Sequence, residues 1–408
     1  MNSNILLLIN WEVAMDKTKI KDFFKNYTMI IALVLVIIFF SVSTKGMLLL
    51  PQNITNLVAQ NAYVYVLATA MLLAILTGGN IDLSVGSVVC FVGAIGAVAM
   101  ESWNWGGLTA VLLVLLVGLA IGAFQAYWIA FVRVPPFIVT LAGMFVFRGL
   151  SNVVLDGKTV SLKNQAFIRV FGGGANCYIP DFIGETLGIT SINVITIVVG
   201  VLICLSYALI VIKGRNAKKK KGYEVKPFAN EIIKLVIICA VVLFITYKLA
   251  SYKGIPTALV WVAVIVVVYG YITAKTTTGR YFYAVGGNEK ATKLSGINTN
   301  KVYFIAYTNL GFLSAIAGLL TIARMTSAQP TYGQNYEMDA IGSCFIGGAS
   351  AYGGVGTVPG VIIGATLMGI INLGMSIMGV DANWQKVVKG AVLLIAVIFD
   401  VVSKKQKD

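Results

Sequence analysis

Long apolar stretches, separated by short polar segments, run through the whole chain and restrict what it can fold into. Apolar residues make up 58% of the 408 residues and charged residues 12%, whereas a soluble domain carries about 25% charged residues. A transmembrane helix needs about 20 mostly apolar residues, so the sequence predicts an all-α, polytopic membrane protein with about 10–12 transmembrane helices and Gly-rich helix breaks. The stretches close to this length are residues 27–43, 54–76, 83–100, 108–132, 137–155, 193–213, 232–248, 257–274, 302–323, 338–350, 355–379 and 387–403.

The positions of the basic residues indicate how the chain is oriented. The net charge is +15, from 31 Lys and Arg and 16 Asp and Glu residues. Basic residues concentrate in alternate connections, among them Arg133 and Lys218 to Lys221, and such loops face the cytoplasm. We therefore expect both termini in the cytoplasm and interpret the charge as a topology signal, not as nucleic-acid binding. The predicted division is a cytoplasmic N-terminus at 1–26, one transmembrane domain at 27–403 with a cytoplasmic loop at 278–301, and a cytoplasmic tail at 404–408.

Two points of this organisation stay open. The segment 338–350 is short, and a re-entrant loop there would place the termini on opposite sides. Near the N-terminus, Trp11 to Val13 can be encoded by bases that form a ribosome-binding signal just upstream of Met15. Met15 is therefore a second candidate start beside Met1, with residues 1–14 as a misassigned leader, because they lack the basic region and cleavage site of a signal peptide.

The residue types present exclude several kinds of chemistry. The chain has no histidine, and its five cysteines are scattered, so His-based zinc sites, His general bases and Ser-His-Asp triads are excluded. The triplet Gly157-Lys158-Thr159 lacks the upstream glycine of a phosphate-binding loop, because Asn152 stands there. We predict a protein that is not an enzyme, with no metal and no cofactor of its own. Any energy that it uses would come from a partner or an ion gradient.

A polar segment, TGRYFYAVGGNEKATKLSGINTNK, occupies residues Thr278 to Lys301 between apolar stretches and predicts a docking element. Asn288 can cap a short helix, Glu289 suits its positive end, and Gly296 can take the left-handed stop. A helix of two turns is too short to be stable alone. It therefore requires packing from its flanks or from a cytoplasmic protein. The alternative is a plain connecting loop.

Two Gly-rich breaks interrupt the apolar stretches and resemble each other, as in a weak internal duplication: Gly78 to Ser87 and Gly347 to Thr357. Unwound backbone at membrane depth survives only against protein or a water-filled cavity, which points to a translocation path. The alternative is close helix packing through small residues. Asp82 lies in the first break, where a carboxylate costs about 2.5–3.5 kcal/mol. We favour a role in capping the helix that starts near Leu83 over substrate contact.

Four stretches resemble the permease subunits of bacterial ABC sugar importers, the ribose, galactose and xylose group. They are GGNIDLSVGS from Gly78, YAVGGNEKATKLSGI from Tyr283, NYEMDAIGSCFIGGASAYGGVGTVPG from Asn335 and WQKVVKGAVLLIAVIFD from Trp384. The resemblance begins near Lys17. The additional basic loop and apolar segment at 213–248 is similar to the longer xylose or multiple-monosaccharide permeases, and shorter ribose-type members match less well there.

The resemblance implies a multi-pass permease of the bacterial inner membrane that forms a homodimer. It also implies a cytoplasmic ABC ATPase that binds ATP and Mg²⁺, an extracytoplasmic sugar-binding protein, and contact with membrane lipid. The ATPase-contacting pattern of the family maps onto Glu289, Ala291 and Gly296, and Thr292 departs from it where a second alanine is frequent. The predicted coupling residues are Gly286, Gly287, Asn288, Glu289, Ala291 and Gly296.

A neutral sugar needs hydrogen-bonding groups in its path, and each polar candidate could instead bond helix to helix. The candidates are Asn61, Asn80, Asp82, Ser84, Ser87, Thr140 and Asn372. The rival functions are an ion-coupled secondary transporter, a permease of the same family for a non-sugar solute and, more distantly, a membrane-embedded enzyme. An ion-coupled transporter requires titratable residues inside the membrane. We considered Asp82 and Glu101, and Glu101 falls at a span end beside Trp103 and Trp105.

Overall fold

Helices make up almost all of the regular structure. The computed structural model describes residues 29–189, 191–223 and 228–405; Met15 and the proposed leader lie outside them. The α-helices are α1 Met29–Ser43, α2 Pro51–Gln60, α3 Ala62–Leu76, α4 Val85–Glu101, α5 Gly107–Ala130, α6 Pro136–Leu155, α7 Gln165–Val170, α8 Phe182–Leu187, α9 Val194–Lys220, α10 Phe228–Ala250, α11 Thr257–Lys275, α12 Thr277–Gly287, α13 Glu289–Leu294, α14 Thr299–Met325, α15 Tyr336–Ile346, α16 Val358–Ile377 and α17 Ala382–Lys405. A 3₁₀ helix at Met47–Leu49 and two strands, β1 Val160–Ser161 and β2 Ser327–Ala328, complete the described elements.

The helices confirm the predicted all-α membrane fold. Within the described residues, 7 helices are long and apolar enough to cross a membrane, or 8 if α2 and α3, which meet at 42°, form one span. Helices α1 and α4 are shorter apolar helices. The remaining expected spans correspond to α15, which has 11 residues, and to α17, which carries Lys386, Lys389 and Asp400.

The molecule has two ends that are used as reference points below. Helix α5 runs to Arg133, whose side chain contacts Thr299 at the start of α14. We call this the basic end, because Lys290 and Lys293 of α13 also lie there. Helices α6 and α14 both run to the opposite end, where β1 follows α6 and β2 follows α14, and the two strands pair antiparallel. We call this the strand end.

Helices α3, α4, α14 and α16 form most of the buried core, and 13 of the 17 residues of α4 are buried. Fourteen of the 15 residues of α3 are buried, and the apolar windows of α14 and α16 are 78% and 67% buried. The windows of α9 and α10 are only 11% buried, which costs little where the surroundings are lipid. The helices approach closely through small residues: a Cβ on Gly311 of α14 would lie 2.3 Å from the carbonyl oxygen of Gly118 of α5.

The expected span at 338–350 is a crossing of mixed structure. Before α15, residues 329–335 form turns that pass along α4, where the Cys90 thiol donates to the Gln329 carbonyl at 3.4 Å. Ser327 pairs with Ser161 at the strand end, and Gly354, after α15, contacts Gly286 at the basic end. The chain therefore passes from one end to the other, half through turns and half through helix α15, and does not re-enter.

Candidate functional site

The two Gly-rich breaks contact each other at the basic end. The Gly354 amide donates to the Leu76 carbonyl at 3.1 Å. A Cβ on Gly353 would lie 2.5 Å from Gly78 Cα, and one on Gly79 would lie 1.9 Å from the carbonyl oxygen of Ala351. No side chain fits at such distances, so glycine here permits backbone to pack on backbone. These glycines thus serve close packing, the alternative that the sequence left open.

Gly286 brings the polar segment into the same contact. A Cβ on Gly286 would lie 1.8 Å from the Leu76 carbonyl oxygen and 2.4 Å from the Gly354 nitrogen. The neighbouring Gly287 faces open space. We call this meeting point the glycine junction, and it consists of Leu76–Gly79, Gly286 and Ala351–Gly354. Any movement of the polar segment therefore acts directly on both breaks.

The predicted short helix is confirmed as α13. The Asn288 side chain accepts a hydrogen bond from the Ala291 amide at 2.9 Å, and Gly296 has φ +83°. Thr292, where the sequence departs from the family pattern, is buried and donates to the Ala284 and Asn288 carbonyls at 2.8 Å. It therefore anchors α13 on α12. Ala291 is exposed, and Leu294 at the end of α13 is 90% exposed.

Glu289 is turned toward the body of the protein. Its Oε1 lies 2.7 Å from Arg133 Nη1, and its Oε2 accepts from the Tyr303 hydroxyl at 3.2 Å. Partial burial alone would raise the pKa of Glu289, but the hydrogen bond and charge of Arg133 outweigh this effect, and the pKa is lowered. Both carboxylate oxygens are thus engaged within the chain.

Asp82 caps α4, as expected. The carboxylate is 2% exposed and accepts from the Ser84 amide and hydroxyl, both at 2.7 Å. The Gln125 amide of α5 donates to the Ser84 hydroxyl at 2.9 Å. Asp82 and Ser84 therefore fix the start of α4 and its contact with α5.

Three further path candidates do not line the cavity that contains Asn61 and Asn372. The Thr140 hydroxyl is buried and donates to the Phe137 carbonyl at 3.4 Å. The Ser87 hydroxyl is buried and has no hydrogen-bond partner among the described residues. Asn80 lies beside Gly78, with its side-chain nitrogen 3.5 Å from the position of a Cβ on that glycine. These side chains belong to the framework around the first break.

Asn61 and Asn372, the remaining path candidates, line one cavity of about 360 Å³. We call it the strand-end cavity, because Phe171 and Gly172, which follow α7, form part of its wall. The side-chain oxygen of Asn372 is buried without a hydrogen-bond partner among the described residues. Buried acceptors are normally satisfied, so an unsatisfied one at the wall of a cavity marks a candidate contact for a bound group. The lining residues are Ala59, Gln60, Asn61, Ala62, Tyr63, Phe171, Gly172, Ala258, Leu320, Thr321, Arg324, Met325, Tyr336 and Asn372.

Sequence reasoning missed the wall of this cavity and the groups behind it. The rings of Tyr63 and Tyr336 stack with centroids 3.7 Å apart. The Tyr63 hydroxyl donates to Asp339 at 3.0 Å, and Lys389 lies 2.9 Å from the same carboxylate. Arg324 also lines the cavity, and the ion pairs among the described residues do not include it. Charged residues within apolar stretches are functional candidates by default, a signal that would have found Asp339 and Lys389.

Helices α3 and α15 form matching units around this site. Their first turns meet through Tyr63 and Tyr336, and the Cys344 thiol donates to the Ala68 carbonyl at 3.2 Å halfway along. Their ends meet at the glycine junction. The two helices therefore run in the same direction, each followed by a break and a new helix, which is the arrangement expected of an internal duplication.

A buried helical core with a polar cavity at one end and an exposed, anchored helix at the other defines a multi-pass membrane transport protein. Residues 53–397 match the family described as branched-chain amino acid transport system / permease component. The chain belongs to this family.

Relatives with printed functions cover nearly the whole chain. It is 38% identical over 380 residues to the xylose transport system permease protein XylH of Haemophilus influenzae, covering 93% of this chain and 97% of the relative. The XylH protein of Escherichia coli is 33% identical over 380 residues, covering 93% and 92%. The ribose import permease protein RbsC of Escherichia coli is 33% identical over 355 residues, covering 87% of each chain. No solved structure matches the chain.

Proposed function

We propose that the chain is the permease subunit of an ATP-driven ABC importer for a monosaccharide, xylose or a related pentose or hexose. The observation that carries this proposal is the strand-end cavity, in which the unpartnered oxygen of Asn372 lies near the stacked Tyr63 and Tyr336. Hydroxyl-bearing rings are bound by a few placed polar groups and aromatic walls. The relatives named for xylose and ribose transport support the same substrate class.

The cavity also favours a sugar over an amino acid, although the family name mentions amino acids. An amino acid carries an ammonium group, which requires a carboxylate or several acceptors when buried. Among the described residues that line the cavity, Arg324 is the only charged one. A neutral solute therefore fits the cavity better than an amino acid does. The solute would also be small, because ligand pockets start at about 300 Å³ and this cavity has about 360 Å³.

Titratable groups within the membrane keep the ion-coupled transporter as the rival. From the sequence we considered the titratable residues Asp82 and Glu101, and Asp339 of α15 is a third. Its carboxylate is bound by Lys389 and Tyr63, however, and Asp82 is bound by the start of α4. A carboxylate that binds a transported proton or sodium ion needs free access, which favours energy from ATP.

We place the basic end in the cytoplasm of a bacterium, where a separate ABC ATPase holds ATP and Mg²⁺. Support comes from α13, which presents the exposed Leu294 next to Lys293 and one turn after Lys290. Burying such a leucine side chain against a partner contributes about 1.5–3 kcal/mol. At the outer, strand end, a cleft of about 400 Å³ that includes Arg169, Asp181 and Lys253 is the proposed contact for a sugar-binding protein. The exposed helices would face lipid and a second copy of the chain.

Transport then requires the path below the cavity to open. Toward the basic end, α3 and α15 pack against each other and the glycine junction closes the way. Movement of α13 by the ATPase would separate the two breaks, since Gly286 touches both. The sugar would leave the strand-end cavity and reach the cytoplasm between them.

The test is uptake of labelled xylose, ribose, galactose and leucine by cells that express the chain with the ATPase and binding protein encoded beside it. ATP depletion should abolish uptake, and an uncoupler that spares ATP should not. Asn372→Leu should raise the xylose concentration for half-maximal uptake about tenfold, because one buried hydrogen bond is lost. Ser376→Ala on the same helix, an exposed residue that does not line the cavity, is the matched control. Uptake that fails with the uncoupler at preserved ATP would establish the ion-coupled rival.

A further inference from the structure

We propose that Arg133 and Glu289 form a latch that carries movement of α13 to helix α5 and the first break, so that Glu289 acts inside the permease and not on the ATPase. This inference rests on the proposed function of α13 as the ATPase contact. The latch comprises Arg133, Glu289 and Tyr303. It assigns Arg133, which the sequence marked only as part of the topology signal, a positioning role in coupling.

The contacts of Arg133 join three separate segments. The residue lies in the connection between α5 and α6 and has φ +66°, a conformation that non-glycine residues adopt only when their surroundings hold them there. One side of its guanidinium lies 2.7 Å from Glu289 Oε1, at the start of α13. The other side donates to Thr299 Oγ1 at 3.0 Å and to the Asn300 side chain, at the start of α14.

Tyr303 closes the latch from α14. The guanidinium of Arg133 lies over its ring, 5.3 Å from the centroid. Its hydroxyl donates to Glu289 Oε2 at 3.2 Å and also reaches the first break, where it lies 3.7 Å from the position of a Cβ on Gly78. Glu289 therefore has one oxygen on the α5–α6 connection and the other on a residue that reaches the break.

Helix α5 can carry the movement further without sliding. It packs on α14 with glycines in backbone contact: a Cβ on Gly122 would lie 2.7 Å from the Thr308 carbonyl oxygen. One turn before its end, Gln125 donates to Ser84, which is bonded to Asp82. The latch and this polar contact thus connect α13 to the start of α4 by hydrogen bonds and close packing alone.

The competing explanation is that Glu289 contacts the ATPase directly. Its side chain is 35% exposed and both oxygens have partners within the chain. Lys290 and Lys293, by contrast, are exposed on the same helix. Their side chains, together with Leu294, form the face available to a partner. The two explanations differ in what a Glu289 variant should lose.

The test uses the complete importer in proteoliposomes and measures three quantities: association of the ATPase, ATP hydrolysis stimulated by loaded binding protein, and labelled xylose imported per ATP. Glu289→Gln and Arg133→Gln should leave ATPase association unchanged and lower xylose per ATP about tenfold. The charge exchange Arg133→Glu with Glu289→Arg should restore most of the loss, since the pair is re-formed. Lys275→Gln, which removes an exposed charge at the end of α11 outside the latch and α13, is the matched control and should leave xylose per ATP unchanged.

Three results would overturn the latch: loss of ATPase association in Glu289→Gln, no change in xylose per ATP in either single variant, or no recovery in the double variant. Tyr303→Phe keeps the ring and removes one hydroxyl, so it tests the latch even if the charge-exchange variant fails to insert into the membrane. It should give a smaller loss in the same direction. If the unaltered importer moves no sugar on ATP, the proposed function fails instead, and this result is read before any variant.

Discussion

The two Gly-rich breaks follow one plan but are held by different partners. In each, a buried helix ends, glycines with positive φ turn the backbone, and a capped helix begins. Asp82 and Ser84 start α4 after the first break, and Thr357 starts α16 after the second by accepting from the Gly360 amide at 3.2 Å. The first break carries its own carboxylate. The second, residues 347–357, contains no charged residue.

Helix α17 supplies what the second unit lacks. Lys389 neutralises Asp339 in α15, and the Asp400 carboxylate accepts from the Ala351 amide within the break at 3.0 Å. The first unit instead contacts α5 through Gln125 and the latch. The same plan is therefore stabilised locally in one unit and by a peripheral helix in the other. This difference predicts that damage to the two units will have unequal consequences.

The largest effect is expected from a variant that disrupts the backbone contact between the two breaks. Gly353→Ala places a Cβ 2.5 Å from Gly78 Cα at a residue with φ +84°, and should lower the free energy of unfolding by about 4 kcal/mol or more. The measurement is unfolding in a titration with denaturing detergent. Gly287→Ala, which faces open space one residue after Gly286, should change it little. Equal effects of the two variants would show that the junction is not tightly packed.

A smaller but still severe effect should follow from breaking the pair on which the second unit depends. Asp339→Asn leaves Lys389 without its anion at a site where Asp339 is 2% and Lys389 16% exposed, and breaking such a buried pair costs about 3–5 kcal/mol. Adding Lys389→Met should recover much of that loss, because no buried charge remains. The same detergent titration measures both. If the double variant is as unstable as the single one, the pair has a role beyond neutralisation.

The corresponding change in the first unit should be milder. Asp82→Ala removes the acceptor for the Ser84 amide and hydroxyl, and loss of such a cap costs about 1–2 kcal/mol. Asp82→Asn keeps an acceptor oxygen and should cost less than Asp82→Ala. Unfolding and xylose uptake are both measured. A loss of uptake in Asp82→Asn with stability unchanged would contradict the capping role and indicate substrate contact.

The capping residues, the glycine stop and the membrane class could be predicted because each depends on neighbours in the sequence. Asn288 and Gly296 act within one helix, and Asp82 acts on a residue two positions away. The predicted number of spans came from runs of apolar residues, so the turns before α15 could not be foreseen. A run of apolar residues does not distinguish a full helix from a short helix preceded by a non-helical crossing.

The partners across the structure were beyond prediction for a different physical reason. Arg133 and Glu289 are joined although 155 residues separate them, and Tyr63 and Asp339 although 275 lie between them. Only the packing of α3 against α15 and of α5 against α14 brings these groups together. Of the polar residues proposed to line the transport path, Asn61 and Asn372 line the cavity. The others do not, because exposure to a cavity depends on how each helix is rotated and not on the polarity of the side chain.

The smallest expected effect concerns acid stability and compares the latch with the buried pair. The pKa of Glu289 in the folded protein is lowered from its ordinary value of 4.5, so its contribution to stability is present above that value and is lost as the pH falls through the lower, folded pKa. At neutral pH the folded and unfolded states are both ionised, and the stability should not depend on pH through this group. Because the carboxylate is 35% exposed, solvent screening limits the contribution to less than about 1 kcal/mol. Glu289→Gln should therefore flatten the dependence of stability on pH below pH 4.5 and leave stability at neutral pH unchanged, as measured by detergent unfolding. A loss of stability at neutral pH as large as that of Asp339→Asn would mean that the latch, and not helix α17, is the main support of the two units.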